Sequence, residues 1–435
     1  MRILHTADWH LGRLFYGRHL TEDQDYVLNH QFLPLLKEAN IDAVVLAGDV
    51  YDRAVPPVEA VSLWDQIVAK TVLEAHIPLF LISGNHDSSQ RLTAGQALLA
   101  KQGLYMRGPL YQQREPILLE DAYGLIAFYL FPYVEPQQLE PYLGEETTSK
   151  GSSVESSRLG EEAFGTLFDY VEPEEQVAFE ESDKPIESKR QLHAYGDLYR
   201  QWTNRALASS LGQIEERPKL AGRSVALAHA FVTGGKESSS ERLLSLGGTE
   251  TISRQAFEGF SYTALGHLHR PQTCGSETIR YSGSLLPYSF DEAKDRKSFT
   301  IVDIDAKGKS QIELVPILPK HRVVVIEDYF DAILENQDFI EDHKNDYVLA
   351  RTLDTAPVFE GMQRLRQVLP YVMAIEPVGR MQVDHKLSVK DNPLKPSNEE
   401  SLFIRFIEEA RGQALTKKEI AYMQTLWTRA RKEDI

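Results

Sequence analysis

Five short polar clusters in the sequence contain the side chains that proteins use to hold divalent metal ions. They combine carboxylates, imidazoles and one carboxamide, and each follows an apolar, strand-like run. In chain order the clusters are Asp8-Trp9-His10, Gly48-Asp49, Gly84-Asn85-His86-Asp87, His229 and Gly266-His267-Leu268-His269. Because open α/β sheets carry their chemistry at strand ends, this placement predicts that the clusters meet at one site.

The first and last clusters each contain a pair of residues that could chelate one ion. Side chains two positions apart point to the same side of a strand, so Asp8 and His10 form one such pair, and His267 and His269 form another. Each pair alone also fits a turn aspartate or a surface histidine without any ligand. All five clusters together, each at the end of an apolar run, favour a dinuclear metal centre.

The middle clusters add groups of other kinds. Asp49 follows a buried run and a glycine, and its two oxygens would let it bridge two metals. Asn85 offers a neutral carbonyl oxygen, and His86 beside Asp87 resembles an acid–base imidazole whose tautomer a carboxylate fixes. Ordinary turn chemistry also explains an Asn and an Asp around a histidine. Taken alone, His229 fits a histidine at a strand end whose hydrogen bonds are made within the protein. The four other clusters are what indicate that it is a metal ligand.

This donor set predicts a hydrolytic reaction assisted by two metals. Carboxylate, imidazole and amide ligands suit Mn²⁺ or another borderline divalent ion, and a chain whose single cysteine is Cys274 has no Cys-rich zinc site. Two ions about 3.5–4 Å apart lower the pKa of a shared water and hold the attacking and leaving oxygens in line. We expect His86 to donate a proton to the leaving oxygen or to stabilise charge on a phosphoryl group.

The elements that must position these clusters alternate between strand and helix patterns over residues 1 to about 130. Residues 41–48 and 77–83 are strand-like, and residues 58–70 between them have helical periodicity. This alternation predicts an α/β fold in layers, with two β-sheets flanked by helices. Farther along, residues 299–304 alternate before a Lys307-Gly308-Lys309 turn, which is typical of a strand-rich segment.

Changes of pattern divide the chain into predicted segments. A chain of 435 residues is long enough for two or three domains. The predicted segments are 1–318 for the domain that bears the clusters, 319–380 for a small α+β cap domain, 381–396 for a linker and 397–435 for a helical tail. Two capping boxes, Ser397 with Glu400 and Thr416 with Glu419, predict that the tail contains two helices.

Nearly half of the net charge of −17 lies in an insertion within the first segment. Residues 144–190 contain 13 acidic and 5 basic side chains, which leaves a local charge of −8. Their polar composition predicts a solvated loop, and a regulatory or DNA-mimicking arm is the alternative. The remaining charge is therefore less unfavourable to a nucleic-acid partner, whose phosphates are bound mainly by Lys and Arg.

Membrane segments are not expected in this chain. No stretch approaches the about 20 apolar residues of a membrane helix. The N-terminal residues also lack the apolar core of a secretory signal. We therefore expect a cytoplasmic protein without a membrane partner.

The order of the clusters resembles that of the calcineurin-like metallophosphoesterases, whose motifs D-x-H, G-D, G-N-H-[D/E], H and G-H-x-H it reproduces. More narrowly, the chain resembles the nuclease subunits of bacterial SbcCD complexes, in the stretches HTADWHLG at 5–12, GDVYDR at 48–53, GNHDS at 84–88 and RYSGS at 280–284. The resemblance implies that one ion is held by Asp8, His10, Asp49 and His269, and the other by Asn85, His229, His267 and the bridging Asp49. It also implies that His86 acts near the scissile phosphate with the assistance of Asp87.

The same resemblance implies a substrate and partners. It implies a Mn²⁺-dependent double-strand exonuclease and single-strand endonuclease that acts on DNA ends and hairpins in repair and recombination, with a DNA-binding cap domain. It also implies an SbcC-like ABC-type ATPase with a long coiled coil, two nuclease and two ATPase subunits forming a heterotetramer. The residues themselves leave two alternatives open: a small-molecule or protein phosphoesterase with the same metals, and a non-catalytic clamp on DNA ends.

Two groups of residues are candidates for contacts with these partners. Arg13, Arg53 and Arg91 lie near the clusters in sequence and are expected to contact phosphates, unless they are solvated or ion-paired surface arginines. The tail contains apolar stripes at helical spacing, formed by Leu402, Phe403, Phe406 and Ile407 and by Met423 and Trp427. These stripes predict a helical hairpin that binds the ATPase, and docking on the chain's own domain is the alternative.

Overall fold

The computed structural model describes residues 1–110, 115–135, 138–139, 141–143, 196–206, 222–241 and 251–378, and six positions between 415 and 422. Met1–Arg351 and Glu360–Glu376 belong to one compact unit. The described residues of 352–359 and from 377 onward belong to a second unit. The polar clusters all lie in the first unit.

The described residues contain both strands and helices in the order that the sequence predicts. The strands are β1 Arg2–Thr6, β2 Leu14–Phe15, β3 Arg18–His19, β4 Ala43–Ala47, β5 Leu79–Ile82, β6 Leu104–Arg107, β7 Ile117–Asp121, β8 Gly124–Phe131, β9 Ser224–His229, β10 Phe231–Val232, β11 Thr251–Ile252, β12 Tyr262–Gly266, β13 Gln272–Thr273, β14 Ile279–Tyr281, β15 Ser298–Ile304, β16 Ser310–Pro316, β17 Val323–Asp328, β18 Tyr347–Thr352 and β19 Val372–Pro377. The α-helices are α1 Thr21–Val27, α2 Leu33–Glu38, α3 Val58–Val68, α4 Ser89–Leu92, α5 Gln96–Leu99, α6 Phe330–Glu335, α7 Gln337–His343 and α8 Gly361–Val368. Residues 196–206 are also helical. Short π-helical stretches, Leu28–Phe32 and Ala69–Glu74, follow α1 and α3, and 3-10 turns lie at Ala100–Gln102, Arg254–Phe257 and Phe290–Glu292.

Two six-stranded sheets form the centre of the first unit. The first sheet has the order β16-β15-β1-β4-β5-β6, and the second has the order β13-β14-β12-β9-β8-β7. Strands β1, β4, β5 and β6 are parallel neighbours, as are β8, β9, β12 and β14. The remaining strands of each sheet pair antiparallel, including the β15–β16 hairpin around the predicted glycine turn. The predicted βαβ arrangement of the N-terminal part is confirmed.

The two sheets share an apolar core between them. Alternate residues of the parallel strands point into this space, so Ile3, Val45 and Phe80 of the first sheet lie in one cluster with Phe128 and Leu227 of the second. The rings of Phe80 and Phe128 stack with their centroids 4.0 Å apart. The residues in between face outward, as expected for strands that are buried on both sides.

Helices cover the outer faces of both sheets. On the first sheet, Leu46 lies in a core with Leu63 of α3. On the second sheet, Leu265 lies in a core with Trp202 of the 196–206 helix. The first unit therefore has four layers, helix, sheet, sheet and helix, and the predicted layered α/β fold with two flanked sheets is confirmed.

Two glycines allow the sheets to approach each other closely at the carboxyl ends of their central strands. A β-carbon on Gly266 would lie 1.8 Å from the Ala47 carbonyl oxygen, and one on Gly48 would lie 2.2 Å from Nδ1 of His229. Gly48 also has a φ of +88°, which L-residues rarely adopt. A glycine before Asp49 and before His267 is therefore required by the contact between the sheets.

The segment predicted as a cap has the expected α+β elements. Strands β17, β18 and β19 form a three-stranded sheet in that order, and α6, α7 and α8 lie between them in sequence. Val323 and Tyr347 belong to the same apolar core as residues of the first sheet. The guanidinium of Arg18 also stacks on Tyr347 and Tyr371. The division between residues 318 and 319 stays a prediction.

One of the two predicted capping boxes lies among the described residues and is confirmed. The backbone N–H of Thr416 donates to Glu419 Oε2 over 2.8 Å, and the N–H of Glu419 donates to Thr416 Oγ1 over 3.4 Å. The predicted linker, the acidic insertion, the Ser397 capping box and the apolar stripes of the tail lie outside the described residues. Within the part of the chain that is described, no helix is long and apolar enough to cross a membrane.

Candidate dinuclear metal centre

Asp8 and His10 lie in the loop that follows β1, so strand alternation is the wrong reason for their proximity. Both residues adopt the left-handed backbone conformation, with φ of 51° and 45°. The N–H of Asp8 donates to the Gly48 carbonyl over 3.1 Å, and the N–H of His10 donates to the Asp49 carbonyl over 3.0 Å. These bonds join the loop after β1 to the loop after β4 and turn both side chains toward one space.

A buried glutamine that the sequence did not single out holds the same loop. Gln24 of α1 donates from Nε2 to the carbonyls of Trp9 and His10 over 2.9 and 2.8 Å. Its Oε1 accepts the N–H of Gly12 over 3.1 Å. Nothing in the sequence distinguishes Gln24 from an ordinary helix-surface glutamine, although the side chain is fully buried.

The first ligand cluster is formed by Asp8, His10 and His269. Each of them offers one donor atom within 4.8 Å of the others. The two Nε2 atoms of His10 and His269 are 3.1 Å apart, and His10 Nε2 lies 3.6 Å from Asp49 Oδ2. All four side chains are buried, so the cluster is shielded from bulk water.

The second ligand cluster lies on the other side of Asp49. The Oδ1 atom of Asn85 is 2.9 Å from His229 Nε2 and 3.3 Å from His267 Nδ1. His229 Nε2 also lies 3.5 Å from Asp49 Oδ2. The Nδ1–H of His229 donates to the Ala47 carbonyl over 2.9 Å, which leaves Nε2 as the atom that faces the cluster.

The two histidines of the last motif point to different clusters. His267 follows the end of β12 with a φ of 105°, and its N–H donates to both oxygens of the Asp8 carboxylate. Its ring lies against Asn85, whereas the ring of His269 lies against His10. This placement agrees with the division that the resemblance implies, whereas chelation of one ion by both residues, the reading from strand alternation, does not hold because both lie beyond β12.

Burial and mutual charge shift the pKa values of these groups in opposite directions. Burial raises the pKa of Asp8 well above its usual value and lowers the pKa of His10 well below it. Burial also raises the pKa of Asp49. The larger opposing effect of His229 and His10 nevertheless holds that pKa below its usual range. Burial would lower the pKa of His229, yet Asp49 and Asp8 raise it to about 9. Burial and the nearby His229 lower the pKa of His267 to about 3. The His267 ring therefore stays neutral and keeps a nitrogen lone pair for a metal ion.

Backbone strain is concentrated in the same place. Eight non-glycine residues have a positive φ among the described residues, and Asp8, His10, Asp49 and His267 are four of them. Such conformations cost energy for L-residues and persist where surrounding contacts enforce them, as they do at functional sites. The strain therefore supports a functional role for these four positions.

His86 is held by a different group from the one that the sequence predicted. Its Nδ1–H donates to the Asp52 carbonyl over 2.9 Å, and its backbone N–H donates to Asp49 Oδ1 over 2.9 Å. The carboxylate of Asp87 instead accepts the backbone N–H groups of residues 50, 51 and 84. The predicted pairing of Asp87 with the His86 ring is wrong, because Asp87 fastens the loops after β4 and β5 together.

The arginines near the clusters differ in how accessible they are. Arg13 donates to Asp52 Oδ1 over 2.7 Å and to the carbonyl of Ser240 over 3.3 Å, so it is engaged within the protein. Arg53 and Arg91 are exposed, and Arg91 makes one bond to a backbone carbonyl. DNA contacts by Arg53 and Arg91 stay a prediction, and the structure gives Arg13 a partner other than phosphate.

A buried charged network beside His269 was also missed from the sequence. Glu292 and Lys297 form an ion pair with an N–O distance of 2.5 Å, and their side chains are 0% and 3% exposed. Ser240 lies between Glu292 and His269 Nδ1, and Glu241 accepts the N–H of His269 over 2.7 Å. The partners of Glu292 in this network, Ser238 and Ser240, lie more than 50 residues earlier in the chain, so no local pattern indicates it.

The donor set fits two divalent ions. Carboxylate oxygens, an amide oxygen and imidazole nitrogens converge from the ends of β1, β4, β5, β9 and β12 on one shielded space. The positive charge of bound ions would offset the carboxylates of Asp8 and Asp49. Oxygen and nitrogen donors of this kind suit divalent metal ions, and the clusters contain no thiolate.

Comparison with known proteins finds a matching family and similar chains. Residues 1–148 match the family of calcineurin-like phosphoesterases. The chain is 30% identical over 431 residues to the D subunit of the nuclease SbcCD from Staphylococcus saprophyticus, with 98% of each chain covered. It is 28% identical over 417 residues to the same subunit from Staphylococcus epidermidis, with 96% of this chain and 95% of the relative covered. Together with the layered fold and the buried ligand clusters, these similarities show that the chain belongs to the family of SbcCD nuclease D subunits, metal-dependent phosphodiester hydrolases with a calcineurin-like phosphoesterase domain.

Proposed function

We propose that this chain hydrolyses phosphodiester bonds at DNA ends and hairpins with two Mn²⁺ ions, as a double-strand exonuclease and single-strand endonuclease in DNA repair and recombination. The observation that carries the proposal is the position of Asp49. Its Oδ2 atom lies 3.6 Å from His10 Nε2 and 3.5 Å from His229 Nε2, so one carboxylate oxygen faces both ligand clusters. A carboxylate in this position would be shared by a pair of ions held in the two clusters.

The two clusters divide the proposed ligands. One ion would be held by Asp8, His10, His269 and Asp49, and the other by Asn85, His229, His267 and Asp49. When bound, such a pair supplies Lewis-acid chemistry, activating a water for attack and neutralising charge at the phosphoryl group. The loops that hold these side chains are tied to one another by backbone bonds and by Gln24, so the ligands are oriented before any ion binds.

His86 is the residue that we propose exchanges a proton with the substrate. Its Nδ1–H is committed to the Asp52 carbonyl, which leaves Nε2 for the reacting groups. The His86 ring lies against the His10 ring with centroids 4.7 Å apart, so it borders the first ligand cluster. A protonated His86 would donate to the leaving oxygen of the phosphodiester.

The proposed partners follow from the two relatives, each of which is one subunit of an SbcCD nuclease. We propose that the chain works with an SbcC-like ATPase that has a long coiled coil, in a heterotetramer with two copies of each subunit. In that assembly the cap segment would bind DNA, and ATP would control access of duplex ends to the metals. We also propose that the protein acts in the cytoplasm.

Two other functions would use some of the same features, and tests with different substrates distinguish them from a nuclease. A small-molecule or protein phosphoesterase would need the same ions, and a DNA-end clamp would need DNA affinity without hydrolysis. With Mn²⁺, we expect the purified chain to cleave end-labelled duplex, hairpin and single-stranded DNA and p-nitrophenyl phosphate diesters, without turning over the monoester. Monoester turnover without DNA cleavage would indicate a phosphatase, and DNA binding without any cleavage would indicate a clamp.

Truncation tests the proposed role of the tail. We expect a chain that ends at Pro396 to keep Mn²⁺-dependent cleavage of single strands, because all proposed ligands lie before that residue. It should lose co-purification with the ATPase and the stimulation by ATP, because the apolar stripes of the tail are removed. Pull-down with the full complex as control measures both effects. Full retention of the ATPase by the truncated chain would contradict this role.

A further inference from the structure

Glu292 and Lys297 are buried charged residues that the proposed reaction does not use. Glu292 ends the 3-10 turn Phe290–Glu292, and Lys297 directly precedes β15. A buried ion pair is not explained by stability alone, because hydrophobic residues of the same volume often make the fold equally stable or more stable. Its position beside a proposed metal ligand suggests that its charge acts on that ligand.

The carboxylate of Glu292 is surrounded by donors. Oε2 accepts from Lys297 Nζ over 2.5 Å, and Ser284 Oγ, whose proton goes to the Leu286 carbonyl, lies 3.5 Å away. Oε1 accepts from Ser238 Oγ over 3.3 Å, from Ser289 Oγ over 3.1 Å and from Ser240 Oγ. An ammonium group has no lone pair that could accept a hydrogen bond, so Lys297 can only donate. Glu292 therefore acts as an ionised acceptor for every neighbour.

Ser240 connects this carboxylate to the metal ligand. Its Oγ lies 2.5 Å from His269 Nδ1 and is also in contact with Glu292 Oε1. A hydroxyl group has a single proton. With that proton donated to the carboxylate of Glu292, the Ser240 oxygen can only accept from His269 Nδ1. Ser238 Oγ, at 3.0 Å from Ser240 Oγ, is a further hydroxyl neighbour and does not compete for Nδ1.

We propose that Glu292, acting through Ser240, is a positioning residue that fixes the Nδ1–H tautomer of His269. This tautomer leaves a lone pair on Nε2, the atom that faces His10 Nε2 over 3.1 Å. The hydrogen bonds from His269 Nδ1 to Ser240 and from Ser240 to Glu292 are called the proton chain below. Lys297 keeps its direction, because a Glu292 that stays ionised can only accept the Ser240 proton. Lys297 also donates to the His269 carbonyl over 2.7 Å. The inference rests on the dinuclear centre proposed above, because it assigns Nε2 of His269 to one of the ions.

Substitution of Ser240 separates this role from a structural one. Ser240→Ala removes the connecting hydroxyl and leaves the buried Glu292–Lys297 pair in place, so the fold is retained. Ser240→Thr keeps a hydroxyl at the same position, and Ser239→Ala removes one from an exposed neighbour in the same loop. We expect Ser240→Ala to weaken one of two Mn²⁺ sites by about 10–100-fold, as for other partners of metal-bound histidines, while both controls bind as the wild type does.

The readouts are Mn²⁺ titration calorimetry and electron paramagnetic resonance of the Mn²⁺-loaded proteins. In Ser240→Ala at limiting Mn²⁺, the spectrum of an exchange-coupled pair should give way to that of a single ion. The second variant is Glu292→Gln, whose amide can donate to Ser240 and so reverse the proton chain. Two Mn²⁺ sites of wild-type affinity in Ser240→Ala would overturn the proposal.

The tautomer itself can be measured without any metal. Nitrogen-15 NMR of the metal-free protein labelled at histidine, with the His269 signals assigned by their loss in His269→Asn, should show the proton on Nδ1 in the wild type and on Nε2 in Glu292→Gln. A wild-type proton on Nε2 would refute the role of Glu292, whatever the metal content. Fewer than two Mn²⁺ sites in the wild type, with the proton on Nδ1, would instead refute the dinuclear centre and leave the proton chain supported.

Discussion

Asp49→Ala is expected to abolish metal-dependent cleavage and to release at least one bound ion. The Oδ2 atom of Asp49 faces both His10 and His229, so its removal takes one ligand from each cluster. The variant also loses a buried negative charge that would offset the charge of two ions. Elemental analysis of the purified protein, together with cleavage of end-labelled DNA, measures both effects.

Asp49→Asn is the matched control for this prediction. Its amide oxygen still accepts the backbone N–H of His86, which in the wild type donates to Asp49 Oδ1 over 2.9 Å. The loop after β5 should therefore keep its position in Asp49→Asn. Loss of metal in this variant would then result from the missing negative charge and not from unfolding. Two tightly held ions in Asp49→Ala would contradict the bridging role.

His86→Ala is expected to lower turnover by about 10²–10⁴-fold, the range for a lost general acid, while the metal content stays near normal. The reason is that the imidazole borders the first ligand cluster, whereas the backbone N–H that supports Asp49 remains in the variant. Single-turnover cleavage at saturating Mn²⁺ isolates the chemical step from metal binding.

The alternative for His86 is a role as a ligand, since one of its ring nitrogens lies within 4.8 Å of donor atoms of His10 and Asp49. Loss of both ions in His86→Ala would establish that role and overturn the assignment of His86 as a general acid. His19→Ala, which removes an exposed histidine outside the clusters, controls for the general effect of losing an imidazole.

The fold of the N-terminal part and the positions of the ligand candidates could be predicted from the sequence because burial leaves a periodic pattern. The run at 43–47 is apolar throughout since β4 is covered on both faces, and α3 begins at Val58, where the predicted helix begins. The confirmed capping box at Thr416 is likewise a local feature, in which residues three positions apart satisfy one another's backbone groups.

The contacts made by these residues could not be predicted in the same way. Asp87 was expected to orient the neighbouring His86, but it binds backbone N–H groups of a loop about 35 residues earlier in the chain. For Arg13 the sequence left phosphate contact and an ion pair both open, and the fold brings Asp52 to it. In each case the partner is distant in sequence, and no local pattern identifies it.

The sequence by itself determined which side chains lie at the strand ends, since apolar runs and glycines specify where buried strands stop. The resemblance implied how they divide between two ions, and only the tertiary structure decided the backbone contacts that place them in two clusters. The division of His267 and His269 depends on backbone angles beyond β12, and the burial of Glu292 and Lys297 depends on the loop that carries Ser240. The physical reason is that strand formation is controlled by local periodicity, whereas ligand geometry is controlled by how two separate sheets and their loops pack together.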